Sequence, residues 1–416
     1  MELPFFSIVI PTRNRYETLQ YTLCTVIRQK FTDFELIISD NSDEESLGEL
    51  SMIDAYLEDE RVKYYRPPSV LAMVDHWEFA VSKAAGRYII VFGDDDGLVE
   101  DALTYLFDII EKTQTELVSW ARVEYSWPDR KPENYANLII VPYMARTGVV
   151  NSISYIKDVI SANADYRYLP MFYNSAVSSR LVKLLKEKTG RVFGASSPDI
   201  YTGYSFAYLT KEYLTVGYPL SINGVSSKSN GAAHLNAKGN TAIQDDYSKL
   251  LKVATIKWPS ELPEVFTSYF GIIEPFIQLS GYFPELKTYI TRKKIYQLAI
   301  DNLESSSEED LKKKIGKIID STKDDLSLHK WVVSYIDKVN PIVKGQDIGV
   351  YQNKVGFDGS HLTLDGSRFG LNNVYDVSVF IRNIFGNIKD QEYLKPVKMP
   401  LLRRIRKAAG ILLRPS

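Results

Sequence analysis

Three consecutive aspartates are the residues of this sequence that are best suited to chemistry. Asp94, Asp95 and Asp96 lie between two glycines, Gly93 and Gly97, directly after an apolar run. Adjacent carboxylates repel one another, and a Mg²⁺ ion relieves such repulsion by binding one or two carboxylates together with substrate phosphate oxygens. Flanking glycines allow the backbone to approach a ligand closely. A solvated acidic turn is the alternative, but the position after a buried run favours a metal and phosphate site.

Two further polar loops also follow apolar runs. The second of them begins with Asp40, whose carboxylate could accept the imide N–H of uracil or thymine; an Asx turn is the alternative explanation. The first loop is rich in arginine, which is a good bidentate partner for phosphate. A single arginine at such a place is often only a surface charge, so the cluster is the stronger signal. The residues of interest in this first loop are Pro11, Thr12, Arg13 and Arg15.

The elements that must position these loops alternate between strands and helices. Apolar runs between helical segments indicate parallel strands that are covered on both faces. The loops that follow parallel strands meet at one edge of the sheet, where α/β proteins bind their ligands. The sequence therefore predicts an α/β domain with a nucleotide site at that edge. The predicted strands are Phe5–Ile10, Phe34–Ser39, Tyr88–Phe92 and Leu117–Trp120, and the helices lie near 16–29, 44–57, 71–85 and 98–112.

Three segments together resemble the inverting family 2 glycosyltransferases of the GT-A fold. They are Phe6–Arg15, Glu35–Ser42 and Gly86–Asp96, and the similarity extends over about residues 5–230. The resemblance implies a nucleoside-diphosphate-sugar donor, with UDP or dTDP the expected nucleotide, and a divalent metal, Mg²⁺ or Mn²⁺. It also implies in-line displacement with inversion at the anomeric carbon. A nucleotidyltransferase on the same fold would need a Gly-rich first loop, which this chain lacks.

The resemblance assigns roles to single positions. Asp40 would hold the base, and the three aspartates would form the DxD-type motif. Asp96 is favoured for the metal, and Asp94 or Asp95 for the ribose or the metal. Gly93 stands where the family often has the first aspartate, which leaves the division of these roles open. The nucleotide would be lined by Pro11, Thr12, Arg13 and Arg15.

A catalytic base is expected at Asp199. An inverting transferase needs a base for the acceptor hydroxyl proton, and the family places it near the start of a helix about a hundred residues after the metal motif. Here Ser197 is a plausible N-cap, Pro198 the first helical residue, and Asp199 lies in the first turn. A carboxylate that only stabilises the helix dipole is the alternative. Pro198 replaces the glutamate that usually precedes this aspartate, which weakens the assignment.

Composition excludes several classes of protein. Hydrophobic residues make up 45% of the 416 residues and charged residues 25%, so the chain is neither disordered throughout nor a multi-span membrane protein. A net charge of −2 leaves no global basic field, and no nucleic-acid partner is expected. Cys24 is the only cysteine, and with four histidines a disulfide, a Cys-rich zinc site or a His-rich metal centre is not expected.

The chain divides into three parts by pattern. Residues 1–235 form the predicted GT-A domain, 240–394 a mainly helical region, and 395–416 a basic amphipathic tail. The tail contains seven Lys/Arg and no acidic residue, which is typical of a helix on a membrane surface; a partner helix or a solvated tail is the alternative. No signal peptide or apolar span is recognisable, so we expect a cytoplasmic protein, peripheral on the inner face of the cell membrane through Lys395–Ser416.

The acceptor is expected to be a saccharide or a lipid-linked sugar in cell-surface polysaccharide synthesis. Its specificity should depend on the loop after Trp120 and on the helical region. A non-catalytic nucleotide-sugar or glycan-binding module on the same fold is the alternative function. Three weaker signals remain. His76 is expected to have a surface or capping role. In the small-residue loop at 221–231, Ser226–Gly231 with Lys228 is a candidate mobile loop, with His234 as a further candidate metal ligand, and the third signal is Asp358–Gly366. The last resembles the Asp–His block of SGNH-type esterases, but the Gly-Asp-Ser block that such enzymes need is missing, which favours chance.

Overall fold

The first four strands are parallel and lie side by side in one sheet. The computed structural model describes residues 3–142, 147–229, 249–250, 253–265, 267–305, 307–341 and 355–385. β1 (Phe6–Thr12) lies between β2 (Phe34–Asp40) and β4 (Tyr88–Val91), and β3 (Val62–Tyr65) pairs with β2. Each of β1, β2 and β4 is buried along its whole length. The predicted parallel strands and their shared edge are therefore present.

The later strands make the sheet mixed. They are β5 (Gly97–Leu98), β6 (Leu117–Ser126), β7 (Leu138–Pro142), β8 (Gly148–Asn151), β9 (Ser175–Ser178), β10 (Glu212–Val225), β11 (Gly356–Phe357) and β12 (His361–Asp365). The order across the sheet is β11-β12-β7-β6-β9-β4-β1-β2-β3, and β10 pairs with β5, β6 and β8. β9 is antiparallel to both β4 and β6, whereas β10 is parallel to β6.

Helices cover both faces because apolar side chains alternate along the strands. Ile8 and Ile10 of β1 belong to one hydrophobic core, while Val9 between them belongs to the other. The first core includes helices α1 (Tyr16–Ile27) and α4 (Ala102–Thr113). The second includes residues of four further helices: α3 (Met73–Val81), α5 (Ser152–Ile160), α6 (Ser179–Thr189) and α7 (Pro198–Thr210). A short α2 (Asp54–Leu57) follows a 3₁₀ turn before β3.

A helical layer follows β10 and packs beneath α7. It contains α8 (Ser268–Tyr282), α9 (Arg292–Asp301), α10 (Glu308–Asp320) and α11 (Leu326–Val339). Apolar residues of these helices join the same core as α7, for example Phe276 against Tyr204. The α/β class with a helical C-terminal region is confirmed. Within the part of the chain that the structure describes, no helix is both long and apolar enough to cross a bilayer.

The chain returns to the sheet after the helical layer, a feature that the sequence pattern did not predict. β12 pairs with β7 in antiparallel register, and α12 (Val374–Phe385) packs on the α1 face of the sheet. Leu362 and Leu364 of β12 are buried, and the strand covers an edge of β7 that would otherwise expose unpaired backbone groups. Among the described residues of the segment 240–394, the strands β11 and β12 thus interrupt the helices. Residues 395–416, the predicted tail, lie outside the described residues.

Two predicted loops are strands. β6 continues past Trp120 to Ser126, and β10 includes Ser221–Val225, the first part of the small-residue segment. The two strands pair in parallel beyond Trp120, with Arg122 opposite Ser221 and Glu124 opposite Asn223. Residues 121–126 of β6 alternate apolar and polar side chains, and Arg122 and Glu124 are only partly buried, which is the period-two pattern of a strand.

Candidate active site

The three predicted loops come together at one edge of the sheet. The Thr12 hydroxyl donates to Asp94 Oδ2 at 2.8 Å, and the Arg15 guanidinium donates to Asp94 Oδ1 at 2.9 Å. Asp40 lies opposite Thr12 in the register of β1 and β2. Helix α1 fixes the backbone of the loop Gly93–Gly97, called the acidic loop below. The Thr22 hydroxyl donates to the carbonyl oxygens of Asp94 and Asp96 at 3.0 and 2.6 Å. The first loop and the acidic loop therefore form one connected site.

Asp95 and Asp96 are held by the end of β10. Asp96 accepts the Gly224 N–H on Oδ1 at 2.7 Å and the Gly93 N–H on Oδ2 at 2.8 Å. Asp95 Oδ2 accepts both the backbone N–H and the hydroxyl of Ser226, at 3.2 and 2.8 Å. A Cβ atom at Gly224 would lie 1.7 Å from the Asp95 carbonyl oxygen, so only glycine allows this approach.

The carboxyl groups of the acidic loop are buried and repel one another, which raises the pKa values of Asp94 and Asp96. Desolvation, followed by the charge of Asp95, raises the pKa of Asp96 to about 8. The pKa of Asp94 is also raised, first by burial, although Arg15 opposes the shift. A divalent cation would relieve this repulsion, and carboxylate oxygens are the hard donors that Mg²⁺ and Mn²⁺ prefer. Each Asp96 oxygen accepts one N–H and keeps a second lone pair, so the donor set fits such an ion.

Among the described residues, no group of three or more His, Cys, Asp or Glu side chains has metal-binding geometry. The assignment of Asp94 and Asp96 to the metal therefore stays a prediction, and so does the nucleotide role of Asp95.

Asp40 is completely buried by two tyrosines. The hydroxyls of Tyr16 and Tyr64 both donate to Asp40 Oδ2, the latter at 2.5 Å. The Ser42 N–H donates to Asp40 Oδ1 at 2.8 Å, which is the Asx turn considered as the alternative explanation. Desolvation and the bond to Asp40 raise the pKa of Tyr16 to about 12. Sequence analysis did not identify Tyr16 or Tyr64 as partners of Asp40. The base-binding role of Asp40 stays a prediction.

Asp199 lies in the first turn of α7, as the sequence indicates. Pro198 is the first helical residue, and Ser197 occupies the N-cap position without a side-chain capping bond. Burial raises the pKa of the Asp199 carboxyl, while the helix N–H groups and the charge of Arg122 lower it. A carboxyl group with a raised pKa that keeps access to solvent is suited to accept a proton near neutral pH.

Tyr173 connects Asp199 with the acidic loop. Its pKa lies well above the ordinary value, first because of burial and then because of the charges of Asp199, Asp96, Asp95 and Asp94. All four carboxylates therefore act on one phenol. The indole of Trp77 packs edge-on against this ring, with the centroids 5.2 Å apart. Sequence reasoning missed Tyr173, which lies in a short 3₁₀ turn without any periodic pattern.

The remaining predicted residues differ in their surroundings. Pro11 is buried in β1, and the Arg13 N–H lies 3.4 Å from Asp94 Oδ2. The Lys228 carbonyl accepts from Arg15, and its ammonium pairs with Glu17 at 3.2 Å, so this part of the loop lies against the site. His234 lies outside the described residues.

The expected surface or capping role of His76 is wrong. The ring is buried, and its Nε2 lies 3.0 Å from both the hydroxyl and the carbonyl oxygen of Ser39. The neighbouring Trp77 is a core residue. His76 instead fixes α3 against the end of β2, one residue before Asp40.

Comparisons with known proteins point to one family. The family model of glycosyl transferase family 2 matches residues 7–160, which include the first loop, Asp40 and the three aspartates. A GalNAc(5)-diNAcBac-PP-undecaprenol beta-1,3-glucosyltransferase of Campylobacter jejuni is 27% identical over 106 residues, which are 25% of this chain and 34% of that protein. An abequosyltransferase of Salmonella typhimurium is 31% identical over 173 residues, or 37% of this chain and 51% of that protein. The chain spans between a third and a half of the length of these curated relatives.

A solved structure superposes on much of the chain with low similarity. The crystal structure of S. aureus TarS 1-349 in complex with UDP-GlcNAc superposes with a TM-score of 0.44 at 13% sequence identity. The superposition covers 85% of this chain and 97% of that one.

Proposed function

We propose that this protein is an inverting glycosyltransferase, because residues 7–160 match the family model of glycosyl transferase family 2. It transfers a sugar from a nucleoside-diphosphate sugar, with UDP or dTDP the preferred nucleotide, to a hydroxyl group of a saccharide or glycolipid. The observation that carries the proposal is that Thr12 and Arg15 of the first loop hydrogen-bond to Asp94 of the acidic loop. The charges of Asp199 and of the three aspartates all raise the pKa of Tyr173, which supports a position of the expected base close to this loop.

The donor would lie along the edge formed by the first loop, β2 and the acidic loop. Asp40 would accept the imide N–H of the base after exchange of a tyrosine hydroxyl. Arg13 and Arg15, together with Pro11 and Thr12, would line the nucleotide and its diphosphate, with Asp95 at the ribose. The bond from Arg15 to Asp94 already brings the guanidinium to the acidic loop.

A divalent metal, when bound at Asp94 and Asp96, would neutralise the negative charge that develops on the leaving diphosphate. The protein groups supply the other half of the chemistry. Asp199 takes the proton of the acceptor hydroxyl, whose oxygen forms a bond to the anomeric carbon. The bond from that carbon to the diphosphate oxygen breaks, and the nucleoside diphosphate leaves with the electron pair. Attack from the face opposite the leaving group inverts the configuration.

The curated relatives suggest the setting of the reaction. The name of the Campylobacter protein describes a glucosyltransferase that acts on an undecaprenol-linked oligosaccharide. We propose a lipid-linked or polysaccharide acceptor for this chain in cell-surface polysaccharide synthesis. The basic tail Lys395–Ser416 would hold the protein at the inner face of the membrane, where such acceptors are accessible.

A donor screen with matched variants tests the proposal. UDP-, dTDP- and GDP-sugars are incubated with Mg²⁺ or Mn²⁺, binding is followed by calorimetry, and release of nucleoside diphosphate measures turnover. We expect Asp199→Asn to lower kcat about 10²-fold or more while donor affinity stays nearly unchanged. Asp94→Ala and Asp96→Ala should abolish transfer in folded protein. Asp54→Asn, an exposed carboxylate of α2, is the control.

The outcomes separate this function from its alternative. Wild-type turnover by both Asp94→Ala and Asp96→Ala contradicts the metal assignment. Equal losses of donor binding and turnover in Asp199→Asn contradict the role of this residue as a base. Tight donor binding without turnover, in the presence of all acceptors and both metals, instead supports a non-catalytic nucleotide-sugar-binding module.

A further inference from the structure

A pair of side chains joins the first loop to the second loop, which begins with Asp40 and ends at Asp43. The Asn14 amide nitrogen Nδ2 donates to Asp43 Oδ2 at 2.7 Å, and the Asp43 N–H donates back to Asn14 Oδ1 at 3.2 Å. The backbone N–H of Asn14 also donates to the Ser42 hydroxyl at 2.8 Å. Three hydrogen bonds therefore connect these two loops.

The backbone of Asn14 explains why this residue type stands here. Its φ is +55°, in the left-handed region that asparagine tolerates better than most other residues with a side chain. Glycine would adopt the same φ but could not bond Asp43, and alanine would do neither. Aspartate would place a second carboxylate against Asp43. Asparagine thus combines the backbone geometry with the reciprocal pair of hydrogen bonds.

Asp43 is also held from its own side of the pair. Its Oδ1 accepts the Ser46 N–H at 3.0 Å, where the 3₁₀ turn Ser46–Ile53 begins. Desolvation raises the pKa of the Asp43 carboxyl, but the hydrogen bonds from Asn14 and Ser46 outweigh it and hold the pKa below its ordinary value. The carboxylate is therefore charged at neutral pH, and a hydrogen bond to a charged acceptor is stronger than one to a neutral group.

The pair lies between the two halves of the proposed donor site. Arg15 follows the asparagine directly and donates to Asp94 of the acidic loop at 2.9 Å. On the other side, Ser42 accepts from the backbone of the asparagine, and its own N–H donates to Asp40 Oδ1 at 2.8 Å. The carboxylate that is expected to hold the base and the guanidinium that is expected to hold the diphosphate are thus both connected to the pair by neighbouring residues.

A nucleoside diphosphate has to engage both halves at once, because its base and its diphosphate are joined through the ribose. A preformed spacing of the two subsites avoids the loss of conformational freedom that ordering two loops on binding would require. The register of β1 and β2 places Asp40 opposite Thr12, and the Asn41 N–H donates to the Thr12 carbonyl at 2.9 Å. The strands thus align the two loops where they begin, and the Asn14–Asp43 pair joins them further on.

We propose that the Asn14–Asp43 pair sets the spacing between the base subsite at Asp40 and the diphosphate subsite at Arg15, so that Asn14 is a positioning residue for donor binding. This inference rests on the proposed glycosyltransferase function, which supplies the nucleotide. Breaking the pair leaves each subsite in place but lets the two loops move relative to one another. It therefore weakens ligands that occupy both subsites and spares ligands that occupy only one.

A swap of the two side chains tests the pair. Asn14→Asp brings two carboxylates together and Asp43→Asn two amides, whereas the double variant again places a carboxylate opposite an amide. We expect each single variant to weaken UDP binding about tenfold, and the double variant to return to within about twofold of the wild type. The single changes alter the local charge in opposite directions, so weaker binding by both does not come from charge alone. Calorimetry with Mg²⁺ measures the dissociation constants, and dTDP replaces UDP if it binds more tightly.

Fragments of the nucleotide separate positioning from general support of the fold. Uridine occupies only the base subsite and is measured by saturation-transfer NMR; pyrophosphate occupies only the diphosphate subsite and is measured by calorimetry. Asn14→Gly keeps the left-handed backbone without the side chain. We expect its affinities for both fragments to stay within about twofold of the wild type, while UDP binds about tenfold more weakly.

Asn137→Gly is the matched control for this variant. Asn137 also has a positive φ, +57°, and its Oδ1 lies 3.3 Å from the Tyr125 hydroxyl, which donates to it. The substitution therefore removes a side-chain hydrogen bond at another left-handed asparagine, outside the two loops. It should leave the binding of UDP and of both fragments unchanged.

The results distinguish this role from the proposed function. Recovery of UDP binding in the double variant supports the pair even when no sugar is transferred, and the swap decides by itself if Asn14→Gly does not fold. Unchanged UDP binding in both single variants, a double variant as weak as they are, or equal losses for UDP, uridine and pyrophosphate overturns the positioning role. UDP binding by the wild type still supports the donor site in those cases. If the wild type binds none of UDP, dTDP and GDP, the donor site and this role are both wrong.

Discussion

At the residue scale, burial and a nearby positive charge have opposite effects on the pKa of Asp199. Burial raises the pKa of its carboxyl, and the positive charge of Arg122 lowers it. A base works only when it is deprotonated, so kcat should fall at low pH as Asp199 takes up a proton. Removing the cation must raise the pKa further. We expect Arg122→Gln to move the acidic limb of the kcat profile to higher pH.

The measurement is kcat against pH at saturating donor and acceptor. Arg180→Gln is a suitable control because this arginine pairs with Glu116 at an exposed position. A limb that stays in place in Arg122→Gln, or that moves to lower pH, contradicts the assignment of the limb to Asp199.

Asp40 offers a second test at the residue scale. Its carboxylate is occupied by Tyr16, Tyr64 and the Ser42 N–H, so a nucleotide base has to displace one of these donors. Removing the Tyr64 hydroxyl should lower that cost by about 1 kcal/mol. We expect Tyr64→Phe to bind UDP several-fold more tightly, and Asp40→Asn to bind it more weakly.

Calorimetric titration with UDP measures both changes. Tyr21→Phe, on the adjacent helix, controls for the loss of a phenol. If Tyr64→Phe weakens binding as much as Asp40→Asn does, the phenol itself contacts the base and Asp40 only positions it.

At the element scale, helix α8 is hydrogen-bonded to the segment that precedes α7. Glu274 of α8 is fully buried and accepts the Ser196 N–H at 3.1 Å and the Ser196 hydroxyl at 2.8 Å, three residues before Asp199. Glu274→Ala leaves these donors without a partner, which costs about 1–3 kcal/mol per buried group. We expect lower stability and lower kcat in Glu274→Ala, and near-wild-type values in Glu274→Gln.

Urea unfolding and steady-state kinetics on the same preparations give the two quantities. Gln278→Ala is the comparison variant, because it removes the bond to Glu274 Oε1 and leaves both Ser196 bonds to Oε2 in place. A Glu274→Ala protein that is destabilised but keeps full kcat would show that the helical layer supports the fold and not the base.

His76 connects α3 to the end of β2 and makes stability depend on pH. Burial lowers its pKa from the model-compound value of 6.5 to about 4. Between those values the unfolded chain binds the proton and the folded protein does not, so this contribution to stability is complete above pH 6.5 and is lost as the pH falls toward 4. Relative to His76→Gln, the wild type should lose on the order of 2 kcal/mol between pH 7 and pH 4.5.

Urea unfolding of both proteins at the two pH values measures this difference, and the general acid destabilisation by carboxylates cancels in the comparison. If the free energies of unfolding of the wild type and of His76→Gln change equally with pH, the assignment of this pH dependence to His76 is contradicted.

The sequence predicts those parts of the site that are marked by a short stretch of neighbouring residues, and it does not predict those that depend on pairing between distant strands. The acidic loop and Asp40 come at the ends of recognisable strands, and Asp199 lies at the start of a helix. A few neighbouring residues are therefore enough to predict where they lie. Tyr173 and Arg122 come to the site through the pairing of β6 with β9 and β10, which joins segments up to about a hundred residues apart. Such long-range register has no local pattern in one sequence.

The C-terminal return to the sheet was hidden for the same reason. β12 has only five residues, and its partner β7 lies more than two hundred residues earlier. At the whole-molecule scale this return matters for the site. Ser378 of α12 donates to the Leu98 carbonyl at 2.8 Å, and Arg382 pairs with Glu100 at 3.0 Å, directly after the acidic loop. The chain up to α12 therefore belongs to the body that carries the donor site.

This boundary determines where the basic tail can be removed. Val374, Val377 and Ile381 of α12 are fully buried, so a truncation must end after α12. The sequence of the tail predicts a helix with Leu401, Leu402 and Ile405 on one face and several Lys/Arg residues beside them. Each such charge contributes about 1 kcal/mol near an anionic bilayer, an effect that fades within a Debye length. We expect the full chain to sediment with anionic liposomes at low salt and to be released at high salt.

A truncation that ends at Tyr393 should stay in the supernatant and keep donor hydrolysis, because the donor site and α12 are intact. Transfer to a membrane-embedded lipid acceptor should fall more than transfer to a soluble analogue, since only the former requires the protein at the bilayer. A second truncation that ends at Asn340 removes β11, β12 and α12, and should lose stability as well as turnover. If the Tyr393 truncation binds liposomes as well as the full chain does, another surface of the protein is the anchor.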